Sequence, residues 1–130
     1  MTQSIISEAM RNPLSLFDVS GKSSIITGAS GAFGRAVAIP LAAMGTKLTL
    51  AGSNEQDLDE VARECREVGG ENIELIYRRP DSLEDAQFMV DTAIKKHGSL
   101  DQLVIASGFN KAGFIHEQPV EEWEKVMNAN

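Results

Sequence analysis

From Lys22 onward, short apolar runs alternate with longer stretches in which apolar residues recur every three or four positions. SSIIT, LTLA, IELIY and LVIA are aliphatic, partly β-branched and too short for helices, so each predicts a strand. The spacing between them predicts helices over about Ala32 to Met44, Glu55 to Val68 and Leu83 to Lys96. A fourth helix carries Trp123, Val126, Met127 and Asn130 on one face, so its inner stripe ends on an amide. The punctuation agrees with this order. Asn54 and Ser82 suit N-caps, while Gly45, Gly69 and Gly98 stand where a left-handed residue closes a helix. Pro40 falls inside the first of these helices, where its ring crowds the carbonyl of Ala36, and a kink after Ala36 is expected.

The order β-α-β-α-β-α-β-α, with strands such as LVIA apolar on both faces, predicts an α/β fold. A parallel sheet carries helices on each side through right-handed crossovers. Ligands on such sheets bind beyond the carboxyl ends of the strands, which directs attention to the segments after Thr27, Ala51, Tyr77 and Ala106.

Length and composition narrow the partners. A chain of 130 residues, 42% of them hydrophobic, makes one domain with a core. Residues 1–20 read as an N-terminal arm with a short helix before Pro13, and 21–130 as the folded domain. With 12 basic against 19 acidic residues, a formal charge of -7 and no basic stripe, nucleic acid is not an expected partner. Neither a secretory signal nor a membrane span is visible, so the expected compartment is the cytoplasm and no membrane partner is expected. A single cysteine excludes an internal disulfide. Cys65 lines up with Leu58, Val61, Ala62 and Val68 at helical spacing and reads as a small buried side chain. His97, beside Lys95 and Lys96, reads as a helix-end charge, and His116 has no partner at metal-ligand spacing.

The candidate chemistry lies in TGASGAFG, Thr27 to Gly34, which leaves the first strand and opens a helix. Small residues there admit a diphosphate to the backbone, and the free N–H groups and positive dipole of the helix attract it. No Lys-Ser/Thr pair closes the turn, which disfavours a nucleoside-triphosphate loop.

TGASGAFG resembles the TGxxx[AG]xG fingerprint of the short-chain dehydrogenase/reductase family, with Gly28, Ala32 and Gly34 at its three small positions. FDVSGKSSIITGAS resembles the family's entry into its first strand, HGSLDQLVIASG its approach to the fourth, and the Trp123–Asn130 spacing its fourth helix. The resemblance covers about Phe17 to Asn130. It implies a Rossmann-like, doubly wound parallel sheet ordered 3-2-1-4 in the part present, and hydride transfer between NAD(P) and an alcohol or ketone substrate. It also implies a homo-oligomer. Coenzyme contacts are expected from Gly28, Ser30, Gly31, Ala32, Phe33 and Gly34, and from Ala106, Ser107 and Gly108 after the fourth strand. There the family has Asn-Asn-Ala-Gly and this chain has Ile105, Ala106, Ser107 and Gly108.

Two further departures bear on the adenosine end. An Asp after the third strand commonly meets the adenine, whereas YRRPD places Arg78 there; Arg78 or Arg79 would stack on the base, approach a phosphate or remain a solvated loop arginine. After the second strand, LAGSN offers no carboxylate for the ribose of NAD, and Ser53 and Asn54 are polar donors, so the reading leans to NADP over NAD.

The resemblance assigns Asn130 to a catalytic tetrad whose Ser, Tyr and Lys come later in the family's chains. The only tyrosine, Tyr77, has no lysine four residues on. These residues are therefore expected to be the cofactor-binding half of a longer enzyme, inactive alone, with LVIA an exposed apolar edge. Two alternatives remain: a non-catalytic dinucleotide-binding or sensing module, and a scaffold without coenzyme.

Overall fold

A computed structural model describes residues 7–130. A short helix α1 (Glu8–Arg11) and a 3₁₀ turn (Pro13–Phe17) precede the domain, with Leu14, Leu16 and Phe17 exposed. Four strands follow, β1 (Ser23–Thr27), β2 (Lys47–Ala51), β3 (Ile73–Ile76) and β4 (Gln102–Ile105). They alternate with helices α2 (Ala32–Ala43), α3 (Glu55–Glu67), α4 (Leu83–His97) and α5 (Val120–Ala129). All pairings are parallel and the order is β3-β2-β1-β4, so the chain reverses direction across the sheet between β1 and β4.

Side chains of a strand point alternately to opposite faces, so adjacent isoleucines in β1 enter different cores. Ile26 packs with Leu48, Leu50 and the inner faces of α2 and α3, where Ala38, Ala42, Leu58, Val61, Ala62 and Cys65 are fully buried. Ile25 packs on the other side with Ala51, Ile76, Met89 and Ala93 under α4. Asn54 and Ser82 cap α3 and α4 by accepting from the backbone N–H groups of Asp57 and Asp85. Gly45, Gly69 and Gly98 take positive φ after their helices, as their positions require.

β4 is an edge, with Leu103 59% and Ile105 72% exposed, as the apolar run LVIA implied. Three expectations are corrected. None of the α5 residues is buried, and Trp123 is 55% exposed, so the stripe from Trp123 to Asn130 is not an inner face here. Val68 caps the end of α3 and is exposed, outside the buried line of Cys65. α2 continues as helix past Pro40, and Ala36 and Pro40 both face solvent, where water can satisfy the carbonyl that the missing N–H leaves. His97 is not a free helix-end charge. Its Nε2 lies 3.2 Å from the Leu48 carbonyl, and partial burial lowers its pKa, so the neutral ring donates to β2. Lys47 Nζ instead donates to the carbonyl of His97, 3.1 Å away, at the negative end of α4.

Candidate functional site

The turn from β1 to α2 is shaped by what crosses it. Gly28 has φ of +66°, and a Cβ there would lie 2.6 Å from the backbone nitrogen of Ser107, so the segment after β4 passes directly over it. Thr27 Oγ1 and Ser107 Oγ, 3.2 Å apart, and the bond from the Ala106 N–H to the Thr27 carbonyl, 3.1 Å, hold that crossing in place. Gly34 is buried beneath the turn, and a Cβ on it would stand 2.6 Å from the Cα of Ala29, so helix and strand approach as closely as backbone allows. A Cβ on Gly31, by contrast, would meet only the Gly28 carbonyl, at 3.3 Å.

This turn opens a helix whose positive end no side chain of the described residues caps. α3 and α4 have side-chain caps, and α3, α4 and α5 have acidic residues in their first turns; α2 has neither. Among the described residues, the N–H groups of Ala32, Phe33 and Gly34 meet no backbone acceptor. Four unpartnered donors are usual at a helix start, and a diphosphate is a group that satisfies them.

Two clefts meet at the turn. The first, about 190 Å³, is lined by Gly28, Ser30 and Gly31 from the turn, Ala51 to Ser53 beyond β2, Arg78 to Pro80 beyond β3, and Ala106 to Gly108 beyond β4. The second is lined by Gly31, Ala32, Phe33, Ala106, Gly108, Phe109, Asn110 and Asn130. Gly31, Ala106 and Gly108 belong to both, so the two form one trough across the carboxyl ends of the strands, over the helix terminus.

The sequence-derived residues fall into place unevenly. Gly28, Ser30, Gly31, Ser53, Arg78, Ala106, Ser107 and Gly108 line the first cleft; Ala32 and Phe33 line the second; Gly34 shapes the turn from below. Asn54 does not line the trough. Its carboxamide is occupied in capping α3, with Nδ2 donating to Asp57 Oδ2 at 2.7 Å. Arg78 lines the first cleft but is held there: Nη1 donates to Asp85 Oδ1 at 3.0 Å, and the guanidinium carbon lies 4.5 Å above the Phe88 ring. Pro80, Phe109 and Asn110 were not expected. Only their positions after the third and fourth strands mark them in the sequence.

Asn130 bridges α5 to the segment after β4. Its Oδ1 accepts from the Phe109 N–H at 3.3 Å, and its Nδ2 donates to the Phe109 carbonyl at 2.8 Å and the Val126 carbonyl at 2.7 Å. A Cβ on Gly108 would lie 2.7 Å from that Oδ1, so the contact needs glycine there. The amide at the end of the α5 stripe thus pairs with a loop, where an apolar residue would leave two backbone groups unbonded. Tyr77 stands apart from the trough, its hydroxyl donating to Asp59 Oδ1 at 2.7 Å, and that bond raises its pKa. Burial pushes the Cys65 thiol up to about 11, so it is no nucleophile.

The family model described as short chain dehydrogenase matches residues 22–130. The chain belongs to that family. An uncharacterized oxidoreductase of Mycobacterium tuberculosis is 44% identical over 117 residues, which cover 90% of this chain and 42% of the relative. 11-beta-hydroxysteroid dehydrogenase A of Sesamum indicum is 35% identical over 109 residues, covering 84% of this chain and 30% of that one. A short-chain type dehydrogenase/reductase from Mycobacterium marinum superposes with a TM-score of 0.81 at 30% identity, over 89% of this chain and 47% of the other. The chain therefore spans less than half the length of these relatives. The short-chain dehydrogenases are oxidoreductases that use NAD(P), and carveol dehydrogenase from Mycobacterium avium, in complex with NAD, shares the fold at a TM-score of 0.74. The trough fits such a coenzyme: glycine, alanine and serine line it along the strand ends, and its centre is a helix terminus without a side-chain cap.

Proposed function

We propose that this chain binds NAD(P) along the trough and forms the coenzyme half of an oxidoreductase acting on a small-molecule alcohol or ketone. The observation that carries the reading is the uncovered positive end of α2, opening between β1 and β4 where the strand order reverses. Ser30, Gly31, Ala32 and Phe33 present backbone to the diphosphate. Ser53 and the arginines after β3 border the adenosine side, while Ala106 to Gly108 and Asn130 border the nicotinamide side. When bound, the nicotinamide ring supplies or accepts the hydride.

What the residues present contribute is position. Asn130 fixes Phe109 and with it the wall of the second cleft, so the segment between Ala106 and Asn110 is held where the coenzyme and substrate meet. Tyr77 does not serve as the acid/base, because it bonds to Asp59 away from the trough and its raised pKa opposes ionisation. The acid/base and substrate contacts are assigned to the further length seen in the relatives, and residues 1–130 alone bind coenzyme without turnover. The same reading makes the enzyme a cytoplasmic homo-oligomer.

The cleft favours NADP: no carboxylate lines it beyond β2 to repel a 2′-phosphate. Titration with NADPH and NADH, followed by nicotinamide fluorescence, tests the reading. Saturable binding of NADPH, tighter than that of NADH, is expected. No binding of either would overturn it.

A further inference from the structure

We infer that Arg79 selects the coenzyme by pairing with a phosphate on the adenosine 2′-hydroxyl; this rests on the proposal that the trough binds a nicotinamide coenzyme. The chain carries a formal charge of -7, yet among the described residues the charged ones that line the first cleft are Arg78 and Arg79. The two strand ends concerned are neighbours. The Gly52 N–H donates to the Ile76 carbonyl at 3.1 Å, which sets Gly52 and Ser53, where the adenosine ribose is held in such sheets, beside the segment Arg78 to Pro80.

The two arginines are not equivalent. Arg78 donates through Nη1 to Asp85 and lays its guanidinium over the Phe88 ring, so it is held against the wall between β3 and α4. Arg79 is tethered through Nε alone, 3.3 Å from Asp81 Oδ1, and Asp81 is 71% exposed, where solvent screens the pair. Its two terminal nitrogens meet no acceptor among the described residues, and a planar pair of donors matches two phosphate oxygens. Pro80 follows it and restricts the Arg79 backbone to extended conformations, which limits how far the side chain's root can wander. The β2 end offers hydroxyl and backbone groups but no cation, so the positive charge this side of the cleft presents to a 2′-phosphate comes from the β3 end.

Dissociation constants for NADPH and NADH measured on the full chain and on Arg79→Gln test the inference, with adenosine 2′,5′-bisphosphate and adenosine 5′-monophosphate as competitors that lack the nicotinamide. The full chain is expected to bind NADPH at least tenfold tighter than NADH, and the bisphosphate tighter than the monophosphate. Arg79→Gln is expected to weaken NADPH and the bisphosphate tenfold or more and to leave NADH within threefold. Equal losses for both coenzymes, as from stacking on adenine, would overturn the inference, as would no loss or a preference of the full chain for NADH. Those results leave the coenzyme reading standing. Failure of the full chain to bind either coenzyme removes that reading and this one with it.

Discussion

Ala32→Glu separates the two consequences of an uncovered helix end. Ala32 is the first residue of α2, exposed, with an N–H that no described residue accepts. A carboxylate in a first turn interacts favourably with the helix dipole by about 0.3–1 kcal/mol. For a domain of this size that raises Tm by roughly 1–4 °C. The same carboxylate would stand near the diphosphate. Two like charges ~6 Å apart at an effective dielectric of ~20 repel by about 3 kcal/mol, which is about two orders of magnitude in Kd. Stability and affinity therefore move in opposite directions, which a merely disruptive substitution does not produce. Ala32→Gln, of the same size without the charge, controls for bulk at the second cleft. The assay pairs melting curves without ligand with NADPH titrations of all three proteins. A glutamate variant that binds NADPH as tightly as its glutamine counterpart would refute the placement of the diphosphate at α2.

Three other outcomes follow from the contacts. Asn130→Ala removes both bonds to the Phe109 backbone; exchange of the Phe109 amide is expected to accelerate tenfold or more while exchange in β1 is unchanged, and equal protection would show that the clamp does not order the loop. The pH dependence of stability has two arms. Burial lowers the His97 pKa below its ordinary 6.5, so the unfolded chain takes up a proton first; its contribution is complete above about pH 6.5 and falls as pH drops through the folded value, a slope that His97→Gln should flatten in urea titrations. Asp101 accepts from the Ser23 N–H and from Ser99, which lowers its pKa below 3.8. That stabilisation is present above the ordinary value and lost as pH falls through the lowered one, and Asp101→Asn should reduce the acid-side slope, with Asp18, Asp85 and Glu122, also lowered, supplying the remainder. Leu103→Lys places a charge on the exposed edge strand; light scattering of residues 1–130 should show less self-association, and unchanged association would mean that another surface drives it.

How much of this was legible in the sequence depends on whether a residue's partner is local. The β1–α2 turn could be read directly because its glycines and its helix start lie within Thr27 to Gly34. Caps at Asn54 and Ser82 and the burial of Cys65 were readable for the same reason. His97 was misread because its partner, Leu48, lies on a different strand 49 residues away, and no pattern around Lys95 and Lys96 announces it. Trp123 was misread because periodicity identifies an apolar face but not what covers it; here Trp123 remains 55% exposed. YRRPD showed two arginines, but only packing against Asp85 and Phe88 distinguishes the braced Arg78 from the lightly tethered Arg79.

Asn130 joins these two kinds of residue. Its position in the stripe raised a local anomaly, an amide where the pattern called for an apolar side chain, and the answer is a partner 21 residues away. The carboxamide supplies one acceptor and one donor to a backbone segment that has left β4 and has no strand beside it. Its remaining donor bond to the Val126 carbonyl holds the end of α5 in the same arrangement. Gly108 must be small for that approach, and Gly28 must be small for Ser107 to cross it, so two glycines 80 residues apart admit the same loop from opposite sides. The trough is thus set by one segment, Ala106 to Phe109, tied to β1 through Thr27 and to α5 through Asn130. A substitution of Asn130 should alter coenzyme affinity before it alters the fold, because Asn130 is exposed, whereas Thr27 is itself buried in β1.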